Sequence, residues 1–560
     1  MSWNARHRRL VFGIAAVAAV LHLRFLLGSE QQEVLTAWLP DDAFYYLLPA
    51  WNAAQGEGFS FDGLAPTYGF QPLWTLLLAG LAALTPTKAA LIDATLVTGV
   101  ALHAATGVLL ARWCAAVGQS RAGVVASFLW LVNPPLLVLS ASGMESGLAV
   151  ALLLAVLLRV EHVEHREGRG WGLGALVGLL FLARVSLLPG LLLLLGWMTW
   201  RRRWGAPLAA VLVATPWLVF ATLRFGQPLP VTMDQKLVGA WAGLARFVAD
   251  WPGVPDGPLR ALLPASERAL FDSPALVVPT WGSLWTLGVR APVGWAGGAF
   301  LPRSVGPIDG LLAVAVAAVL VVLLTRGVER WQVPRSLLFL GALAALHAGA
   351  NNLLLPLYVK YSYWYRVPEL VLLVLVAALL LDRAVGSGRD AAGRVAVGAL
   401  TVVALVGVGR ALVAWQPRPW DAGADRYSNG ILSIAAEVER AVPPGERVGC
   451  WNAGLLGWTV EGRPVVNLDG LANTREFART VARREMRARM GSGEAPVTHA
   501  WLREQGIHWV VDIHPVDAVG TAPFYDVLPV GTYRGVARSP TLTHWAFEAP
   551  RHAVMLVRVE

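Results

Sequence analysis

Cysteine is nearly missing from this chain: Cys114 and Cys450 are the only two in 560 residues. The topology reached below puts them on opposite sides of a membrane, which excludes a disulfide between them, and two thiols form no metal cluster. Charge is scarce as well, at 15% of residues against roughly a quarter in ordinary soluble domains. The chain has no compact basic face with interleaved aromatics, so its net charge of +9 does not read as nucleic-acid binding. Glu161-His162-Val163-Glu164-His165 lacks the spacing of a metalloprotease helix. Neither a solenoid repeat nor a pair of inverted halves with broken helices is visible, which argues against a repeat array and a secondary transporter.

Apolar residues fill the space that charge leaves. They make up 56% of the chain, and the mean hydropathy is +0.54. The basic residues lie between apolar runs, as in cytoplasmic loops under the positive-inside rule, and the 25 tryptophans suit membrane interfaces. A hydrocarbon core about 30 Å thick needs about 20 apolar helical residues. Spans are expected at 10–27, 89–111, 122–140, 146–159, 171–184, 187–200, 206–223, 308–325, 336–353, 367–382 and 394–414. Arginine clusters at 112–121, 159–169, 201–203, 326–335 and 383–394 all fall on the cytoplasmic side if the chain crosses about eleven times. The run 171–200 is long for one helix and short for two, so two short helices meeting near Arg184 are expected. Counting Leu73–Leu84 as a crossing would invert the loops that follow, so it is placed in the interface or half-inserted, as part of the first outer loop.

The expected architecture is an all-α polytopic bundle over 1–414, with outer loops at 29–88 and 224–307, followed by a small soluble α/β domain over 415–560. In the tail, 447–450, 464–467 and Ile507–Val511 read as strands, and 474–490 and 498–505 as helices. The N-terminus is expected in the cytoplasm and the tail outside.

The first outer loop holds the most informative residues. Asp41-Asp42 follows Pro40, and Tyr68-Gly69-Phe70-Gln71-Pro72-Leu73 comes later. Adjacent carboxylates at a membrane surface can act as a general base and as a holder of a metal or a sugar hydroxyl; Asp41 can equally cap the 42–54 helix. Glu145 opens a span on the same side and can serve either a helix dipole or a site. Arg184, Lys236, Lys360 and Arg366 are cations at headgroup depth, suited to a lipid phosphate or to snorkelling. Trp451-Asn452-Ala453-Gly454 and Asn467-Leu468-Asp469-Gly470 read as turns after strands, with acceptor binding as the alternative.

With these motifs in place, the chain resembles the GT-C superfamily of membrane glycosyltransferases, in particular bacterial relatives of protein O-mannosyltransferases and lipid-A aminoarabinose transferases. These carry an acidic pair in the first outer loop, as Asp41-Asp42 does here, and then an aromatic-Gly-aromatic-His-Pro-Leu segment, in which Gln71 replaces the usual His. Glu145 stands where oligosaccharyltransferase catalytic subunits have a second acidic motif, but as a single acid rather than an Asp-x-Asp pair. The tail lacks their Trp-Trp-Asp motif.

The resemblance implies transfer of a sugar from a polyprenyl-phosphate donor to a lipid, glycan or protein acceptor at the periplasmic face of a bacterial inner membrane. Asp41, Asp42 and Glu145 are then the catalytic candidates. Arg184, Lys236, Lys360, Arg366, Tyr68 and Gln71 are candidates for binding donor phosphate or sugar. A divalent cation, Mg or Mn, has Asp41, Asp42 and Glu145 as its candidate ligands. The alternatives are a non-catalytic lipid-binding scaffold or transporter of the same fold, and an O-antigen polymerase or ligase, whose long outer loop normally comes late in the chain.

Overall fold

The computed structural model describes residues 5–29, 31–163, 170–276, 278–279, 333–354, 363–386, 427–519, 521–524, 527–542 and 552–560. The expected spans at 308–325 and 394–414 lie outside these residues.

Three described helices are long and apolar enough to cross a membrane: Ala5–Gly28, Lys88–Ala116 and Gly205–Phe225. Thr87 starts the second of these by accepting the Ala90 N–H on its side-chain oxygen. Gly226, at φ +73°, ends the third in the left-handed conformation. Several other expected spans are also helical, at Ser146–Val163, Arg335–Leu354 and Val367–Gly386.

The segment expected as one span, 122–140, is not a single straight helix. The structure has Ser120–Leu131 and Pro134–Ala141, bent by 74° from one another. Pro134 and Pro135 follow Asn133, whose side chain accepts the Leu136 N–H and begins a second helix instead of continuing the first. The 171–200 run forms helices Trp171–Ala183 and Leu188–Trp200, separated by Arg184 in an extended conformation and one 3-10 turn. The Pro72–Leu84 helix is only 13 residues, about 20 Å long.

The first outer loop contributes the Asp41–Ala54 helix, whose side chains Ala43, Phe44, Leu47 and Ala50 are fully buried. Over 224–276 the helices are Val231–Lys236, Ala240–Ala249, Asp256–Leu262 and Ala265–Phe271, of which Ala240–Ala249 and Ala265–Phe271 pack in a small apolar cluster that includes Met490 of the tail.

The tail is a five-stranded sheet with helices. β1 (Val448–Cys450) lies between β2 (Val465–Asn467) and β3 (Trp509–Pro515), parallel to both. β5 (His552–Val559) then pairs antiparallel with β3 and with the edge strand β4 (Tyr533–Arg538), giving the order β2-β1-β3-β5-β4. β2, β1 and β3 rank as a nearly continuous apolar layer, as expected for parallel strands covered on both faces. The loops after β1 and β2 meet the N-terminal part of the chain, through Asp41 and Tyr45 on one and Thr67 on the other.

Candidate functional site

The acidic pair divides into two roles because neighbouring residues on a helix point about 100° apart. Pro40, not Asp41, is the residue that precedes the Asp41–Ala54 helix. Asp41 instead turns to a helix of the tail, Gly454–Thr459, where its carboxylate accepts the N–H groups of Gly454 at 3.1 Å and Leu455 at 2.8 Å. One turn on, the Tyr45 hydroxyl accepts the Ala453 N–H at 3.3 Å and donates to Trp451 O at 3.4 Å. From the other side Asp512 on β3 accepts the N–H groups of Trp451 and Asn452, at 3.1 and 3.3 Å. Five consecutive backbone donors, 451 to 455, are thus held by two carboxylates and one phenol. Gly454 makes this contact possible, since a Cβ there would stand 2.2 Å from Asp41 O. Gly69 does the same for the second tail loop, whose Leu471 O would lie 1.7 Å from a Cβ. Thr67 donates to Asn473 O at 3.2 Å alongside it.

Asp42 faces a different set of groups. Its half-buried carboxylate makes no hydrogen bond among the described residues, and burial pushes its pKa up. Lys236 opposes that shift and Glu145 adds to it, so both charges lie within electrostatic reach. Lys236 donates to the Tyr365 hydroxyl, its ammonium 4.8 Å from the centre of that ring. Burial disfavours the Lys236 charge, but Tyr365, Asp42 and Glu145 outweigh it and raise the ammonium pKa.

Behind Lys236 is a buried ion pair, Arg184–Glu145 at 2.7 Å, with side chains 3% and 4% exposed. Arg184 reaches Glu145 from the break between its two short helices. Gln71 fixes that break by accepting the Val185 N–H at 3.0 Å. Glu145 Oε2 and Arg184 Nε are buried and unpartnered among the described residues. The Tyr46 phenol stands beside Glu145, and burial followed by that charge pushes its pKa up.

The remaining candidates separate. Tyr68 belongs to an aromatic cluster, stacked on Phe225 and accepting the Trp217 indole N–H at 2.8 Å. Its own hydroxyl donates to Pro228 O, which ties the two outer loops together. Arg366 is buried 4.0 Å from Glu369, which also meets His347 at 3.0 Å. Lys360 lies outside the described residues. Among the described residues no three His, Cys, Asp or Glu converge as a metal group. Two of the candidate ligands are already engaged, Asp41 by amides and Glu145 by Arg184.

The candidate site residues did not include Tyr45, Tyr46, Tyr365 and Asp512, and Asp469 entered only within the turn Asn467-Leu468-Asp469-Gly470. The two phenols Tyr45 and Tyr46 carried a signal, since each stands four residues after an acid and so shares its helix face. Asp469 ends β2's loop and interacts with both Asp42 and Asp41; burial raises its carboxyl to about 8. Asp42 is thus linked electrostatically to Lys236 and Glu145, and Asp469 to Asp42 and Asp41.

Residues 421–553 match a family described as a domain of unknown function (DUF8728). No curated protein sequence matches the chain. Among solved structures, ArnT from Cupriavidus metallidurans bound to undecaprenyl phosphate superposes with a TM-score of 0.53 and 13% identity, covering 97% of both chains. The same protein in its apo state gives 0.51 and 14%, covering 96% of both. An oligosaccharyltransferase from Archaeoglobus fulgidus tethered to an acceptor peptide gives 0.50 and 11%, covering 90% of this chain and 69% of its own.

Proposed function

We propose, for a chain with the fold of the GT-C membrane glycosyltransferases, that it transfers a sugar from a polyprenyl-phosphate donor to a hydroxyl-bearing acceptor, with Asp42 as the general base. The observation that carries this is the setting of Asp42: a carboxylate with no hydrogen bond among the described residues, within electrostatic reach of Lys236 and of Glu145 in its buried pair with Arg184. A base needs a free lone pair and a raised proton affinity, and Asp42 has both. Asp41 has neither oxygen free and holds the tail in place.

In this reading the acceptor hydroxyl gives its proton to Asp42 as its oxygen bonds to the sugar's anomeric carbon. The bond from that carbon to the phosphate oxygen breaks on the opposite face, and the electron pair leaves with the polyprenyl phosphate. Lys236 and Arg184, with Arg366 further along, offset the charge that develops there, where low dielectric makes such help large. The site works at the water boundary because the donor's tail is greasy and the acceptor polar. ArnT, the relative in fold, is seen with undecaprenyl phosphate bound, which supports a lipid-phosphate donor here.

The test is turnover of a panel of polyprenyl-phosphate sugars by purified protein in nanodiscs. Wild type should consume one donor, and Asp42→Asn should bind it but lose at least about a hundredfold in rate. Donor binding without turnover, even with crude membrane extract as acceptor source, would favour the scaffold reading. No binding by wild type would sink the assignment.

A further inference from the structure

Two turns present the cations of the site, and a buried histidine lies between them. Arg184 stands at the break before the 3-10 turn Val185–Leu187, and Tyr365 lies in the 3-10 turn Tyr363–Arg366. The Tyr365 ring is shared, with the Arg184 guanidinium carbon 6.0 Å and the Lys236 ammonium 4.8 Å from its centre. His347, 2% exposed on the Arg335–Leu354 helix, reaches both turns. Its Nδ1 is 3.0 Å from Glu369 Oε1, on the helix that begins where the Tyr363–Arg366 turn ends. Its Nε2 is 3.4 Å from the hydroxyl of Ser186, two residues after Arg184. One helical turn on, the buried Asn351 amide is 3.2 Å from His347 Nε2 and donates to Tyr365 O at 3.2 Å. Arg366 stands 4.0 Å from the same Glu369 oxygen, beyond hydrogen-bond range, so it is His347 that bonds there. These partners also fix the tautomer of the ring. A carboxylate only accepts, which puts the proton on Nδ1 and leaves Nε2 to accept from Ser186 and Asn351. Apolar side chains would join the same helices at less cost than a buried polar chain. What the polar chain adds is direction, since each bond holds one turn at one distance from His347.

We infer that His347 is a positioning residue for sugar transfer: through Ser186 on one side, and Glu369 and Asn351 on the other, it locks the Arg184 turn against the Tyr365 turn and so sets the spacing of Arg184 and Lys236 around the departing phosphate. The inference rests on the glycosyltransferase reading. The donor's phosphodiester is a monoanion, and the polyprenyl phosphate that leaves gains a further charge as the bond to the sugar breaks. Cations held at a fixed spacing therefore favour the transition state over the bound donor. A loosened spacing lowers kcat and leaves donor KM nearly unchanged.

The test uses full-length protein in nanodiscs and the polyprenyl-phosphate sugar that wild type turns over. Both kcat and donor KM are measured for Ser186→Ala, His347→Phe and the double variant. Ser186→Ala removes one hydroxyl and leaves Glu369 its partner; it should lower kcat about threefold or more, the scale of one hydrogen bond. Donor KM should stay within about twofold of wild type. His347→Phe should lower kcat at least as far, and adding Ser186→Ala to it should lower kcat no further, because the Ser186 bond is already lost. A smaller fall in kcat for Ser186→Ala overturns the inference alone. So does a rise in KM without a fall in kcat, or losses that multiply in the double variant. Should His347→Phe not fold, Ser186→Ala decides by the same kcat and KM criteria. An inactive wild type overturns the parent reading, and the inference with it.

Discussion

Asp41 and Asp42 are chemically identical neighbours, and their surroundings alone separate them. One is saturated by two amides; the other is left open before Lys236. The same logic applies to Arg184 and Glu145, which stabilise one another only as a pair. Arg184→Gln leaves Glu145 buried without its counter-charge and should cost about 3–5 kcal/mol of stability. Adding Glu145→Gln should restore most of that loss, as measured by thermal unfolding in detergent for the two single variants and the double. A double variant no more stable than Arg184→Gln would mean the pair is not coupled. Much of this was legible in the sequence, where acids and cations at headgroup depth stood out against an apolar background. Their division of labour was not. It depends on which amides approach Asp41, and those amides belong to residues more than four hundred positions away.

At the scale of elements, the sequence revealed most where a physical signal was strong. Short apolar runs bounded by turns marked β1 and β2 to within a residue. The edge strand β4 is mostly exposed, so no alternation marked it. The 74° bend at Asn133-Pro134-Pro135 had its proline signal in view, yet the apolar run on both sides reads as one span. The element that matters most is the loop 451–455, because the carboxyls gripping it titrate. Burial raises Asp41 and Asp512 to about 6 each, and Asp469 in the neighbouring loop to about 8, from an ordinary value of 3.8. Asp42, Tyr45, Cys450 and Lys236 face the same space. A carboxyl whose pKa is raised in the folded state binds its proton more tightly there than in the unfolded chain. The stability it contributes is fully present below 3.8 and is lost as pH rises through the folded value. Melting of the docked tail, followed by tryptophan fluorescence, should therefore fall from pH 3.8 upward, steeply to about 6, more gently to about 8, and stay level above that. Asp469→Asn should remove the gentle part, so that the fall ends near 6.

Across the whole molecule, apolar side chains such as Leu192, Leu193, Leu208, Val211, Leu212 and Leu223 stay exposed on the helices, a surface suited to lipid. The tail by contrast rests on both outer loops, through Asp41 on one and the Arg479–Asp234 pair on the other. The basic loops are expected in the cytoplasm, and that expectation can be tested. A cysteine at Arg202 should be labelled only from the cytoplasmic side, and one at Arg440 only from the opposite side. Cys114 and Cys450 are buried and should add little background. Labelling of both positions from one face would overturn the topology. The grip on residues 451–455 also has a consequence for synthesis. The ribosome releases Asp41 and Tyr45 long before it makes the amides they will hold, so both side chains wait without those partners while the chain is unfinished. A copy terminated before residue 451 would keep its apolar helices and lose every backbone donor that Asp41, Tyr45 and Asp512 grip.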